Sequence, residues 1–404
     1  MPAFDKIKEI EVSEFHTSNT EATYLAKYGE KYYEINAAVA GILSAAREAA
    51  TEQEAVERYI EACGGRYSEA DVRSVLDKCM TLFDDTPAKK PPFILRFDLI
   101  PADKIAWLTR KLAFLFNSGI MLPLLLSVAA LDIYFCATDT LLIAAGSVNL
   151  YVIIGLLLFI VVSSCIHELG HATACRHYGI EHGNVGFGLY LNFPVFYTDV
   201  SNIWRLKRGQ RCVVNLAGIY FQSIILLPVL IAYFITGHPI LKYIVLLTNI
   251  NFVITLNPFF RFDGYWLMTD LLGIANLRAK SMELLRYLYY RVRGKAPEGW
   301  KPALLMVKPA YRYALFAYSI VVNLFFGYYF FYIIPVFMIR FVETFPELVH
   351  TLLASLSAGI MPDFGIIQQI VAQLLFMAIT AYFLYRMIKP LTKIVKWKKT
   401  PSPQ

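Results

Sequence analysis

Two histidines four residues apart, with a glutamate beside the first, form His167-Glu168-Leu169-Gly170-His171 at the end of an apolar run that begins near Tyr151. On a helix, positions i and i+4 share one face, so both imidazoles can aim a ring nitrogen at one tetrahedral zinc ion. Glu168 then stands beside the metal without ligating it. Zinc lowers the pKa of bound water to roughly 7, and a neighbouring carboxylate can take the proton as hydroxide attacks a carbonyl. That is the chemistry of peptide hydrolysis. In soluble proteins such a short motif often falls by chance on a solvated helix. Here it ends a hydrophobic helix, where unpaired polar groups are costly, and that points to a site.

Catalytic zinc usually takes three protein ligands and one water, so a further donor must come from elsewhere in the chain. Asp263 is the candidate. It follows Leu256-Asn257-Pro258-Phe259-Phe260-Arg261-Phe262, where Asn-Pro interrupts an apolar run, and precedes Gly264. An ion pair with Arg261, or a cap on the next turn, would equally explain a carboxylate there. Asp199 and Asp270 are weaker alternatives, and Cys175, four residues after His171, is a conceivable thiolate ligand. His177 falls on nearly the opposite helix face from His171 and His182 lies past Gly179, so both read as interfacial polar residues, as do His16, His238 and His350 outside the site.

The elements that must hold these groups are hydrophobic. Of 404 residues, 57% are hydrophobic, 15% aromatic and 17% charged, with a mean hydropathy of +0.49, outside the usual range of soluble globular domains. Apolar runs long enough to cross a bilayer are expected at 113–136, 150–173, 213–235, 241–258, 314–338 and 366–385. Lys and Arg cluster after the second, fourth and sixth of these, so the positive-inside rule puts both termini in the cytoplasm, and the expected location is a bacterial cytoplasmic (inner) membrane. The N-terminus is polar and acidic from Asp5 to Glu14, without the pattern of a signal peptide. Net charge is +7, yet residues 1–90 carry 17 acidic against 11 basic side chains. The basic part is therefore the membrane part, which suits anionic lipid better than nucleic acid, and no nucleic-acid signature is present. The six cysteines show no CxxC pattern and read as small buried hydrophobes in a reduced compartment.

His167-Glu168-x-x-His171 ending one span, Asn215-Leu216-Ala217-Gly218 to Gln222 in the next, and Asn257-Pro258 with Asp263-Gly264 ending the one after together resemble the site-2 protease family of intramembrane zinc metalloproteases. The resemblance covers roughly residues 145 to 275. It implies His167, His171 and Asp263 as zinc ligands, Glu168 as general base, and Asn257 as a residue that holds substrate or polarises its carbonyl. The sequence departs from the family at Phe259 to Phe262, where many members have proline and leucine, and at Gln222, near a position where asparagine is common. It has no PDZ insertion.

Between the second and third spans, residues 184–197 alternate, with Val185, Phe187, Leu189, Leu191 and Phe193 on one face of a strand. Either an extended substrate pairs with it, through Leu189 and Leu191, or it folds on itself as a hairpin. Residues 1–85 read as a separate α+β module: a hairpin around Tyr28-Gly29-Glu30, then helices at 37–49, 52–62 and 68–83, with Thr51 and Ser68 as N-caps and Glu54 completing a capping box. This pattern resembles PqqD-like peptide-recognition domains, small winged-helix modules, and implies binding of a leader peptide beside the helix at 68–83. A domain that only stabilises or dimerises the enzyme is the alternative. Residues 86–112 read as a linker and membrane-surface segment, 113–388 as the transmembrane metalloprotease domain and 389–404 as a basic cytoplasmic tail. Residues 278–312 read as an interfacial amphipathic stretch anchored in lipid.

The expected protein is thus a polytopic α-helical membrane protein of about six transmembrane helices, carrying a small N-terminal α+β winged-helix-like domain. Its expected activity is that of a Zn2+ endopeptidase maturing a ribosomally synthesised peptide recruited through its leader, with export machinery as a further partner. The competing readings are regulated cleavage of a membrane-anchored signalling protein, or a non-proteolytic peptide exporter or receptor that uses the metal structurally.

Overall fold

The computed structural model describes residues 3–29, 31–85, 93–139, 150–190, 193–294 and 302–397. Its N-terminal part runs α1 (Ala3–Lys8), β1 (Glu11–Phe15), β2 (Thr23–Tyr28), β3 (Lys31–Asn36), α2 (Ala37–Glu48), α3 (Glu52–Ala62) and α4 (Glu69–Asp85). The strands form one antiparallel sheet in the order β1-β2-β3. The hairpin and the three following helices lie where the sequence pattern puts them; α1 and β1 are additional. Ile7, Ile10, Ala26, Ile42, Leu43, Val56 and Leu76 form a buried core between sheet and helices. Thr51 caps α3 by accepting from the Glu54 N–H. The Glu54 carboxylate turns back over the helix start, accepting from the Ala50 N–H at 2.7 Å beside the Thr51 N–H. Glu30 and the linker 86–92 lie outside the described residues.

The membrane-facing part begins with β4 (Phe93–Ile100) and the amphipathic α5 (Ala102–Leu112), followed by a 3-10 turn at Ala113–Phe116. Then come α6 (Ser118–Thr138), α7 (Leu150–His177), the hairpin β5 (Val185–Tyr190) and β6 (Phe193–Thr198), α8 (Arg208–Thr236) and α9 (Pro239–Thr255). The chain continues through α10 (Asp263–Leu272), α11 (Leu277–Arg293) and α12 (Ala303–Met306). Finally α13 (Pro309–Tyr328) passes through a π-helical turn at Tyr329–Ile333 into α14 (Ile334–Ser357), and α15 (Phe364–Trp397) follows.

Among the described residues, five helices are long and apolar enough to cross a membrane: Ser118–Thr138, Tyr151–His177, Arg208–Thr236, Pro309–Ser357 and Phe364–Tyr382. The chain is a mostly helical polytopic membrane protein with a small N-terminal sheet domain. Two of the six expected spans differ. The fourth, α9, is a shorter apolar helix of 17 residues, ended by the Asn257-Pro258 turn. The helix that carries the fifth does not stop near Met338, where charged residues begin, but runs on to Ser357 with Pro346 inside it; Pro335 falls in the first turn of α14, where proline is tolerated.

Backbone contacts divide the chain into two compact units. The smaller comprises Pro92–Leu95, Leu189–Pro194 and Ala317–Gln404; in it α14 packs on α15, with Phe337 and Phe376 ring centroids 4.1 Å apart and the Gln373 amide donating to the Thr344 hydroxyl at 2.9 Å. The larger comprises Met1–Pro91, Arg96–Gly188 and Val195–Phe316, so the N-terminal sheet and the helices that carry His167, His171 and Asp263 share one unit. Within it α8 is the best-covered apolar helix. Ala217 and Phe221 pack with Ala174 and Phe116 on one side, and Leu226 and Leu230 pack with Phe135 and Val245 on another.

The residues between β1 and β2 are threaded into this unit. The Ser18 N–H donates to the Gly273 carbonyl and the Thr20 N–H to the Met306 carbonyl, both at 2.8 Å. Beneath them Arg211 of α8, 1% exposed, donates from Nε to Asp270 Oδ1 of α10 at 2.5 Å and stacks against Phe15 and Trp204. The second Asp270 oxygen accepts from the Asn215 amide at 2.8 Å. Breaking a buried pair by deleting one partner strands a charge and costs about 3–5 kcal/mol, whereas replacing both partners by apolar residues is far milder. Asp270→Ala is therefore expected to lower the unfolding midpoint of the detergent-solubilised protein much more than the double change Arg211→Met with Asp270→Leu; equal losses would show the pair to be dispensable.

Candidate metal centre

Three helices bring the polar groups together. His167 and His171 lie one turn apart on α7, their imidazole centroids separated by 4.8 Å. Asp263 opens α10, just past the turn that ends α9. That turn is stabilised by the Asn257 side-chain oxygen, which accepts from the Phe259 N–H at 2.8 Å. Close approach of α7 and α8 depends on two glycines. A β-carbon at Gly170 would lie 2.3 Å from the Ala217 carbonyl oxygen, and one at Gly218 would lie 2.4 Å from His167 Nε2.

The result is a triangle of ligand atoms. Asp263 Oδ2 lies 2.9 Å from His167 Nε2 and 3.2 Å from His171 Nε2, and the two nitrogens are 3.1 Å apart. Ligands about 2.0 Å from a tetrahedral zinc stand about 3.3 Å from one another, so the spacing fits one such ion. The outer ring nitrogens settle the proton positions. His171 Nδ1 faces the Val214 carbonyl at 2.8 Å, which can only accept, so Nδ1 carries the hydrogen. His167 Nδ1 faces Gln222 Oε1 at 3.0 Å. The Gln222 amide is oriented by donating to Ser163 Oγ at 2.9 Å while its oxygen accepts from Asn251 Nδ2 at 3.2 Å. With Nδ1 donating, each imidazole in its neutral form presents a lone pair at Nε2, beside a carboxylate oxygen. In that form three acceptors converge where a cation can sit, and the donor set of two imidazoles and one carboxylate suits zinc.

Glu168 is buried, at 8% exposure, and stands outside this triangle. Among the described residues its carboxylate takes no hydrogen-bond partner, while its main-chain carbonyl accepts from the Thr198 hydroxyl at 3.0 Å, fastening the end of β6 to α7. Next to that contact, hydrogen bonds from the Tyr197 hydroxyl and the Asn184 amide hold the Asp98 carboxyl below the usual carboxylate range. Of the other candidates, Asp270 is engaged by Arg211, and Asp199 accepts from the Ser201 hydroxyl at 2.6 Å. Cys175 is buried in the apolar core. None of these three belongs to the triangle. Leu189 lies on β5 and is half-buried; Leu191 lies outside the described residues. The hairpin is self-paired, and β5 is the central strand of the order β4-β5-β6, so an added strand finds its open edges on β4 and β6.

Gln222 stood out only through the family resemblance, and Ser163 and Asn251 not at all, although a hydroxyl and two amides inside apolar helices are themselves a signal of a polar site.

No family model matches the chain, and no solved structure does. One curated relative is similar over 121 residues at 25% identity, covering 30% of this chain and 48% of its own length: the Bacillus subtilis (strain 168) protein whose full name is "Putative peptide zinc metalloprotease protein YydH". The match thus spans about half of that relative.

Outer partners that fix ligand tautomers typically contribute 10–100-fold to metal affinity. Gln222→Ala is expected to weaken zinc binding of the purified protein by roughly that factor in a chelator competition titration. An unchanged affinity would remove Gln222 from the support of His167.

Proposed function

We propose that this chain is an intramembrane zinc metalloendopeptidase of the site-2 protease type, maturing a ribosomally synthesised peptide that its N-terminal module recruits through a leader segment. The observation that carries the reading is the convergence of two imidazole lone pairs and one carboxylate oxygen at zinc spacing on apolar helices, with an unpartnered glutamate one residue from the first histidine. The name of the Bacillus subtilis relative supports both zinc and peptide as the chemistry.

In this reading His167, His171 and Asp263 hold the ion. Bound zinc would supply a Lewis acid that brings the pKa of water to about 7. The Glu168 carboxylate takes one proton from the attacking water as the water oxygen bonds to the scissile carbonyl carbon. It then returns that proton to the amine as the carbon–nitrogen bond breaks. Asn257 spends its side-chain oxygen on the Phe259 N–H, which leaves its NH2 as the donor that can face a substrate carbonyl. An extended substrate would lie along the open edge of β6, whose end is tied to Glu168, with Leu189 on the neighbouring strand. Both termini would face the cytoplasm of a bacterial inner membrane, where the leader is presented, and export machinery would take the product.

The experiment uses the full chain in lipid nanodiscs with a precursor peptide encoded beside it, offered with and without its leader. Glu168→Gln is expected to lower turnover by at least about a hundredfold, the usual scale of general acid–base catalysis, while zinc content stays at one per chain. Turnover that survives the change would overturn the protease assignment. Removing the leader is expected to reduce kcat/KM; cleavage indifferent to the leader would instead favour a membrane-anchored signalling protein as substrate.

A further inference from the structure

Away from the metal centre, a cavity of about 710 Å³ opens where α5, the 3-10 turn, the start of α6 and the end of α7 meet. Arg110, Phe114, Phe116, Asn117, Arg176 and His177 line it. Arg110 comes from the last turn of α5 and Arg176 from the last turn of α7. Among the described residues, neither guanidinium has a hydrogen-bond or ion-pair partner. No acidic residue belongs to the lining. Asn117 precedes α6 without capping it, so the first N–H groups of that helix also face this end. Two uncompensated guanidiniums beside such a terminus bind anions, and their forked donors suit phosphate oxygens.

Depth decides the kind of anion. Helix α6 starts at this cavity and helix α7 ends there, so the cavity sits at one end of both membrane-crossing helices, at the level of lipid headgroups. Trp107 and Phe114 are 60% and 59% exposed, as aromatic side chains are at a membrane interface. Immediately along α6, Leu122 and Leu126 are 57% and 62% exposed, an apolar strip on which an acyl chain can lie. A free phosphate ion would use the basic groups alone; a phospholipid uses both the basic groups and the strip.

We propose that this cavity is a binding site for an anionic phospholipid, its headgroup phosphate held between Arg110 and Arg176 and an acyl chain laid along Leu122 and Leu126 of α6. The site requires only that α6 and α7 span a bilayer and is independent of the peptidase reading. It would fasten the end of the helix that carries His167 and His171 to the negatively charged leaflet.

The test is native mass spectrometry of the full chain in mild detergent, with three probes at matched concentration: short-chain phosphatidylglycerol, short-chain phosphatidylcholine and inorganic phosphate. Selective retention of phosphatidylglycerol is expected. Arg110→Gln with Arg176→Gln should weaken it roughly thirtyfold, the combined effect of two interfacial cations, whereas Arg291→Gln with Arg293→Gln on α11 should leave it unchanged. Equal retention of phosphatidylcholine, filling by inorganic phosphate alone, or a double Arg110/Arg176 variant that binds like the wild type would each overturn the proposal. Should that variant fail to fold, the comparison of the three probes on the wild-type chain still decides.

Discussion

Three electron-pair donors held about 3 Å apart in an apolar setting repel one another unless a positive charge lies among them, and much of the larger unit serves to hold them there. Gly170 and Gly218 allow α7 and α8 to approach until His167 lies against bare backbone. The Val214 carbonyl and the Gln222 amide turn both rings the same way. The Asn257-Pro258 turn ends α9 early enough for Asp263 to reach across. Each of these features would weaken a helical membrane protein if it stood alone. Small residues forgo packing area, polar side chains are expensive in hydrocarbon, and a broken helix exposes backbone. Together they make sense around one cation.

The position of Asp263 depends in turn on α10, and α10 is held from its far end. Asp270, two turns along the same helix, meets the buried Arg211 of α8, and the residues between β1 and β2 close over that pair. The N-terminal sheet is therefore joined to the carboxylate side of the triangle through a rigid ten-residue helix. Arg208 reinforces the joint by donating to the Asp270 and Leu271 carbonyls and to the Ser18 hydroxyl.

Local spacing revealed what local spacing can encode. The i, i+4 histidines, the Asn-Pro break before Asp263, and the turn and caps of α2 to α4 all lie within a few residues of one another, and the structure puts those elements where the pattern does. Features that require distant partners were not legible. Glu11 to Phe15 has no strong alternation and becomes β1 only because β2 pairs with it. Residues 93–100 do alternate, yet they read as linker because their partner β5 lies some ninety residues away. Arg211 looked like one more basic residue flanking a span, and only the fold turns it inward onto Asp270. The helix that holds the fifth span runs on beyond Met338 for another reason: charged residues mark where a helix leaves hydrocarbon, but do not terminate it.

That uninterrupted helix has a consequence of its own. Forty-nine residues from Pro309 to Ser357 make a rod of about 74 Å at 1.5 Å per residue, against a hydrocarbon slab of about 30 Å. A straight rod would have to lean by about 66° to stay submerged, far past the roughly 40° that marks the usual limit of tilt. The rod must then either project into water at one end or change direction on the way, and the widened turn at Tyr329–Ile333, followed at once by Pro335, is a joint at which it can flex, as is the internal Pro346. The chain thus carries a mast with a knuckle, able to lie partly along the surface of the bilayer it crosses.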